Sequence, residues 1–382
     1  MGPLTGLRVI EFAGLGPAPF AAMLLADMGA DVVRLERQQS DNLLGIDYDV
    51  LNRGKRAVAV DLKTPDGIAT ALELLSRADV LIEGFRPGVM ERLGLGPEVC
   101  WQVNPALVYG RMTGWGQDGP LARSAGHDIN YIAISGVLSA MGERDGRPAI
   151  PVNLLGDFGG GAMYLAFGIM AALYECRTSG KGQVVDAAIC DGTAHLSTML
   201  HGLMHNDRWQ DRRGENLLDG AAPHYNTYQC ADGEWISIGP LEPKFHGEFL
   251  RCLRLQDDED FQDYQNPECW PRLKKRLATL FAQRDSTHWR ALLEGTDCCV
   301  APVLGLRAAA EHPHNASRVV FETHDGCVQP APAPRFSRTP GRIQGPPPAG
   351  CQPGAEVLRQ WQEEDCDQSP HGSGGTAGDV SE

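Results

Sequence analysis

Short apolar runs and longer amphipathic stretches take turns along the first third of the chain. Residues 7–12 form an apolar run, 14–19 a Gly/Pro loop, and 20–28 a helical stretch stopped at Gly29. Residues 31–36 read as the next strand. A second unit repeats the order. Residues 57–62 are strand-like, Thr64-Pro65-Asp66 is a helix start, 67–77 is helical, and 80–83 and 107–113 are strands. Strands alternating with helices predict a parallel sheet covered by helices, and right-handed crossovers between its strands.

Near Gly114 the texture changes. A Gly-rich loop precedes two helical stretches, 132–141 and 158–174, then a strand within "GKGQVVDAAI" and a helix over 192–205. From about Gly220 the elements are shorter. Residues 225–230 and 235–239 flank "ADG" as a hairpin. Helices are expected at 245–253, 271–282 and 286–293, and a strand at 299–304. This predicts a large α/β domain over 1–205 and a smaller α+β domain over 206–328. A Pro-rich return segment over 329–362 carries one short helix at 355–362, and an acidic, Gly/Ser-rich tail over 363–382 is expected to be disordered.

Composition narrows the possibilities. A net charge of -15 argues against nucleic-acid binding. It leaves room for an anionic small ligand, because local basic clusters act against the global sign. The 11 cysteines show no zinc spacing, so no metal is expected, and they read as reduced thiols in an intracellular compartment. No apolar run approaches the ~18 residues of a membrane span. The richest stretch, 162–173, reads as a buried helix, and no targeting signal is visible.

Candidate chemistry then falls in four places. Gly14-x-Gly16 after the first strand, with Glu36 beyond the second, hints at a dinucleotide loop, but Pro19 replaces the third glycine and makes it a poor match. Basic residues gather near strand ends: Arg34, Arg37, "NRGKR" (52–56), Lys63 and Arg86. Each alone suits a solvated surface. Together they suit a phosphate-rich ligand, since open α/β sheets bind ligands at the carboxyl ends of their strands. His127, Asp128, Asn130 and Tyr131 crowd the start of a helix, and Asp157 sits in "NLLGDFGGGA" beside an apolar segment. A capped helix with a satisfied histidine explains the first group, yet His127 and Asp157 also make an acid/base pair. Glu242, in "LEPKF", is equally a helix-start residue and a functional acid.

The blocks "NRGKRAVAVDLK", "GHDINYIAISGVL", "NLLGDFGGGAMYLAFGIMAAL", "GKGQVVDAAICDGTAHLS", "NLLDGAAPHYNTY" and "TDCCVAPVL" resemble, in order, the alpha-methylacyl-CoA racemases. That group lies within the family III CoA-transferases (CaiB/BaiF type). The resemblance covers roughly residues 1–340. It implies a Rossmann-like large domain, a small α+β domain, an interlocked homodimer and an acyl-CoA substrate. Coenzyme A is then part of the substrate, and no separate cofactor is implied. Lipid and bile-acid metabolism in mitochondria or peroxisomes also follows from it.

By the same resemblance His127 and Asp157 are the catalytic pair and Glu242 a supporting acid. Arg37, Val60, Asp61, Leu62, Lys63, Arg86, Gly126, Asp128, Ile129, Asn130 and Tyr131 fall on CoA-contacting positions. The implied reaction is an isomerisation, a 1,1-proton transfer through an enolate with two bases on opposite faces. Asp128 and Glu242 would orient His127, and 159–161 would offer N–H donors to the enolate. The alternatives are a CoA-transferase using Asp157 as nucleophile, and an impaired acyl-CoA-binding protein. The sequence departs from the family pattern after about residue 340, where "GCQPGAEVL" stands. That departure raises the question of whether the C-terminal region still docks.

Overall fold

The computed structural model describes residues 2–38 and 45–368. The chain divides into two compact units, one from Met1–Thr113, Leu165–Ala187 and Pro332–Glu382, the other from Gly114–Tyr164 and Ala188–Ala331. The polar cluster at His127 belongs to the second of these units.

The first unit holds a six-stranded sheet. Its strands are β1 (Arg8–Phe12), β2 (Asp31–Glu36), β3 (Arg56–Ala59), β4 (Val80–Glu83), β5 (Val108–Thr113) and β6 (Val184–Ala188). They lie in the order β3-β2-β1-β4-β5-β6, and β1 pairs in parallel with both β2 and β4. Strand order reverses at that β1/β4 junction, where open α/β sheets form their ligand crevice. The alternation read from the sequence has its cause in burial. Val9, Ile10, Val32, Val33, Leu81 and Ile82 are all inaccessible, so these strands are apolar on both faces. Helix Pro65–Leu75 starts where Thr64 Oγ1 accepts the Gly67 N–H at 3.1 Å, with Pro65 at its first position.

Four of the basic residues grouped near strand ends are consumed inside this unit. Arg53 makes a two-pronged pair with Asp27, and Lys55 is fully buried against Glu11, Asn52 and the Pro19 carbonyl. Arg56 pairs with Asp31 and Arg34 with Glu36. Their chemistry is structural, and the phosphate reading narrows to Arg37, Lys63 and Arg86, which are exposed.

The C-terminal region docks. Helix Gly354–Gln368 runs six residues into the stretch expected to be disordered. Trp361, 0% exposed, donates its indole N–H to Asp31 at 2.6 Å, and Arg8 bonds Glu364 and Asp365. Gln352 adds a parallel bridge to Val58. Residues 369–382 of the expected tail lie outside the described residues.

The stretch expected as a buried helix is part of a continuous 26-residue helical segment, Leu154–Ser179. Length and composition alone would let it cross a bilayer, and a third of its most apolar 18 residues are buried. Leu165, Ile169 and Ala172 are buried, and Leu165 and Ile169 lie within van der Waals reach of Gly110 on β5. The opposite face stays exposed, with Phe167 at 75% and Tyr174 at 76%.

In the second unit, β7 (Asn226–Gln229), β8 (Trp235–Ile238) and β9 (Val300–Pro302) form a small antiparallel sheet. Helices Pro243–Cys252, Trp270–Phe281 and Ser286–Leu293 share a core with it, centred on Ile236, Phe249, Phe281 and Trp289. A second hairpin, β10 (Phe321–His324) and β11 (Cys327–Pro330), escaped the sequence reading. Its signal was present. Asp325-Gly326 both have positive φ, as a type I′ turn demands.

Candidate functional site

Helix Asp128–Ile134 begins at His127, whose backbone is extended. The Asn130 side chain accepts the His127 N–H at 3.0 Å, and the Asn130 N–H donates to the His127 carbonyl at 2.8 Å. These reciprocal bonds fix the helix start and leave the imidazole exposed. Tyr131 donates its hydroxyl to the Gly126 carbonyl and stands edge-on to Trp115 at 4.7 Å. A Cβ at Gly114 or Gly126 would run into the Tyr131 ring. Asn130 and Tyr131 thus shape the loop that presents His127.

Asp157 lies in a nine-residue π-helical stretch, Leu154–Ala162. The wider turn shows in the Phe158 N–H, which reaches back five residues to the Asn153 carbonyl at 3.4 Å. Such turns are rare and favour functional positions. Asp128 joins the two elements. Its Oδ1 accepts the Asp157 N–H at 2.7 Å and also receives Gly156. Its Oδ2 is buried with no partner. The expectation that Asp128 orients His127 is therefore corrected: Asp128 holds the backbone of Asp157.

Glycines make this approach possible. A Cβ at Gly156 would overlap Asp128 and come 2.7 Å from Ile132. A Cβ at Gly160 would lie 2.8 Å from the Thr193 nitrogen, so the "GGG" run brings the π-helical stretch onto helix Ile189–Leu196. Gly160 and Gly161 are buried in that contact. Packing accounts for them better than donation to an enolate. Tyr164 and His195, one from each helix, share a hydrogen bond of 2.7 Å. The glycine spacing in the sequence signalled the close approach, but nothing there signalled its partner Thr193 or the role of Asn153.

Burial raises the proton affinity of the Asp157 carboxyl. A bond from Asn153 Nδ2 at 3.3 Å opposes this, the Asp128 charge adds to it, and nearby His127 lowers it. Asp128 is itself raised by burial. A carboxyl shifted upward beside an imidazole is the kind of pairing that acid/base chemistry uses.

Glu242 caps helix Pro243–Cys252 and is exposed, with no side-chain hydrogen bond at the cap. Its charge is felt at Cys299, whose thiol is raised first by burial and then by Glu242. Cys299 lines a cavity of about 1290 Å³ with Tyr225, Asn226, Ile238 and Lys274. No hydrogen bond joins Glu242 to His127 among the described residues, so the orienting role expected of it is not seen in this chain.

In the first unit, the Val60 N–H donates to the Glu36 carbonyl at 2.8 Å, which sets Arg37 beside the end of β3. Asp61 accepts the Lys63 N–H at 3.0 Å and turns the chain into helix Pro65–Leu75. Leu62, Lys63, Ile68 and Arg92 line a groove of about 550 Å³ there. Lys63 and Arg92 flanking a helix start make a fitting seat for phosphate. Arg86 is exposed past the end of β4, and Ile129 is exposed in the second unit on helix Asp128–Ile134.

Comparison with known proteins fits this geometry. The description "CoA-transferase family III" matches residues 4–352. A mouse protein named alpha-methylacyl-CoA racemase is 45% identical over 362 residues, 94% of this chain and 93% of its own. Its human namesake is 46% identical over 340 residues, covering 88% and 87%. Among solved structures, a CaiB/BaiF family protein from Brucella suis superposes with a TM-score of 0.79 at 25% identity, covering 94% of this chain and 99% of that one.

Proposed function

Because the chain belongs to CoA-transferase family III, we propose that it is an isomerase interconverting the R and S epimers of 2-methylacyl-CoA thioesters. The observation that carries this reading is the Asp157 carboxyl, raised by burial and within electrostatic reach of His127. Inversion at the carbon alpha to a thioester needs two bases. One takes the alpha-proton to give an enolate, and the conjugate acid of the other returns a proton to the opposite face. His127 and Asp157 are those groups. An ordinary carboxyl is scarcely protonated near neutral pH, and burial shifts Asp157 in the direction the reaction needs. Asn153 and Asp128 act as positioning residues for Asp157.

By the family resemblance, contacts to the CoA moiety fall to Arg37, Val60, Asp61, Leu62, Lys63, Arg86, Gly126, Asp128, Ile129, Asn130 and Tyr131. The exposed cations and the groove at Lys63 support this. By the resemblance Glu242 is a supporting acid, and its charge reaches Cys299. The active form is a homodimer, for which the exposed stripe of Met163, Phe167, Met170 and Tyr174 supplies an apolar face. All 11 cysteines are free, which suits a reducing intracellular compartment; the mitochondrial or peroxisomal assignment and a part in branched-fatty-acid or bile-acid chemistry rest on the resemblance alone.

Incubation of a 2-methylacyl-CoA in deuterated water tests the reading. The native protein should introduce alpha-deuterium and invert the centre, and His127→Ala and Asp157→Asn should each abolish inversion. Absence of exchange with the native protein overturns it. A covalent CoA adduct on Asp157, found by mass spectrometry with a free acid acceptor, would favour CoA transfer instead.

A further inference from the structure

Helix Pro243–Cys252 carries Glu248 and Cys252 one turn apart on the same face. Their side chains meet, with Cys252 Sγ 3.6 Å from Glu248 Oε1. Cys298 enters from the segment before β9 and is 0% exposed. The two sulfurs and the carboxylate oxygen all lie within 4.8 Å of one another. Around a tetrahedral zinc, with bonds of about 2.3 Å to sulfur and about 2.0 Å to oxygen, ligand atoms stand roughly 3.5–3.8 Å apart. The cluster needs only a small inward movement to reach that geometry.

We propose that Glu248, Cys252 and Cys298 bind a thiophilic divalent cation of the zinc type, with water in the fourth position. Binding forms two metal–sulfur bonds and one metal–oxygen bond. The two thiol protons leave to solvent, the carboxylate binds as the anion it already is, and nothing is oxidised or reduced. Two thiolates, one carboxylate and a dication sum to one negative charge. Arg251 already bonds Glu248, so its guanidinium balances that charge from the second layer.

Physical reasoning favours a metal over a Cys252–Cys298 disulfide. Cys298 is fully buried beside Cys252 and Glu248. A thiol so enclosed is reached slowly by peroxide. A dication reverses the same crowding, since it stabilises all three would-be anions together. Occupancy would staple the last turn of the helix to the approach of β9. The donors come from two separate stretches of chain, which is why no metal-binding spacing announces them.

The test uses the purified full-length protein, stripped with a chelator and titrated with Co(II) as an optical probe. One equivalent should produce a cobalt–thiolate charge-transfer band that Zn(II) displaces. Cys252→Ser should weaken binding about 100-fold and remove the band, while Cys269→Ser keeps it. If the serine variant misfolds, alkylation of the native protein decides. Zn(II) should protect Cys252 and leave Cys327 unprotected. No band, a band that survives Cys252→Ser in folded protein, equal alkylation with and without Zn(II), or a peroxide-formed disulfide without metal affinity overturns the proposal.

Discussion

Asp128 Oδ1 accepts the backbone N–H of Asp157 at 2.7 Å, so one carboxylate at a helix start holds the other in its π-helical turn. The bond couples position and charge. Asp128→Asn keeps an acceptor but removes the negative charge that helps raise Asp157. The limb of the kcat–pH profile governed by Asp157 should move to lower pH. Asp128→Ala removes the acceptor as well and should cost about 1–3 kcal/mol of stability for the stranded amide. Isotope-exchange rates across pH check both, and an unmoved limb in Asp128→Asn would show that the two carboxyls are uncoupled.

Gly156→Ala places a methyl group against Asp128 and Ile132. Overpacking of this kind costs about 1–3 kcal/mol. The larger effect should fall on kcat, because the strain is released at Asp157. Gly160→Ala meets the backbone of Thr193 and should destabilise by a similar amount. Thermal melts alongside exchange rates distinguish the two: Gly156→Ala loses more activity than stability, Gly160→Ala the reverse.

His224 and His246 form a buried pair with ring centroids 5.6 Å apart, and His246 stacks on Tyr264 at 3.5 Å. Neither His246 nitrogen has a partner. Burial holds both rings down to about 4, and for His246 the His224 charge adds to it. An unfolded imidazole titrates at ~6.5, so the unfolded state takes up protons first as pH falls. The stabilisation is fully present above pH ~6.5 and is lost as pH drops toward 4, roughly 3 kcal/mol per ring. Urea melts between those limits should show this slope, and His246→Phe should flatten it.

Lys55 and Glu11 are both inaccessible and 2.7 Å apart. Lys55→Met leaves Glu11 buried and alone and should cost about 3–5 kcal/mol. The double change Lys55→Met with Glu11→Leu should recover most of that. Chemical denaturation of the three proteins measures it, and a double variant no better than the single would refute the argument.

The sheet was legible because the centres of β1, β2 and β4 are buried on both faces, which leaves short apolar runs such as Val9-Ile10, Val32-Val33 and Val80-Leu81-Ile82. Two strands, Asp31–Glu36 and Val80–Glu83, and helix Ser286–Leu293 match their expected limits. What periodicity could not show was pairing at a distance. Lys55 and Arg53 read as ligand-seeking cations because Glu11 and Asp27 lie 44 and 26 residues away. The site was half legible. His127 and Asp157 were readable as chemistry, yet the partner of Asp128 was not, since nothing local says which backbone amide a carboxylate will choose. The Asp-Gly turn at Asp325 was in plain view and was masked by the prolines beyond it.

The docked C-terminal helix has a consequence for biosynthesis. Asp31 and Trp361 are 330 residues apart, and Arg8 and the Trp361 carbonyl 353. Strand β2 therefore waits for a segment made 330 residues later before the edge of its core is sealed. Until Trp361 emerges, apolar surface around Val58 and Leu74 has no cover, and such exposed surface invites aggregation. A truncation before Gly354 would act less as a loss of sequence than as a permanent arrest at that unfinished stage, and chaperone dependence would be its symptom.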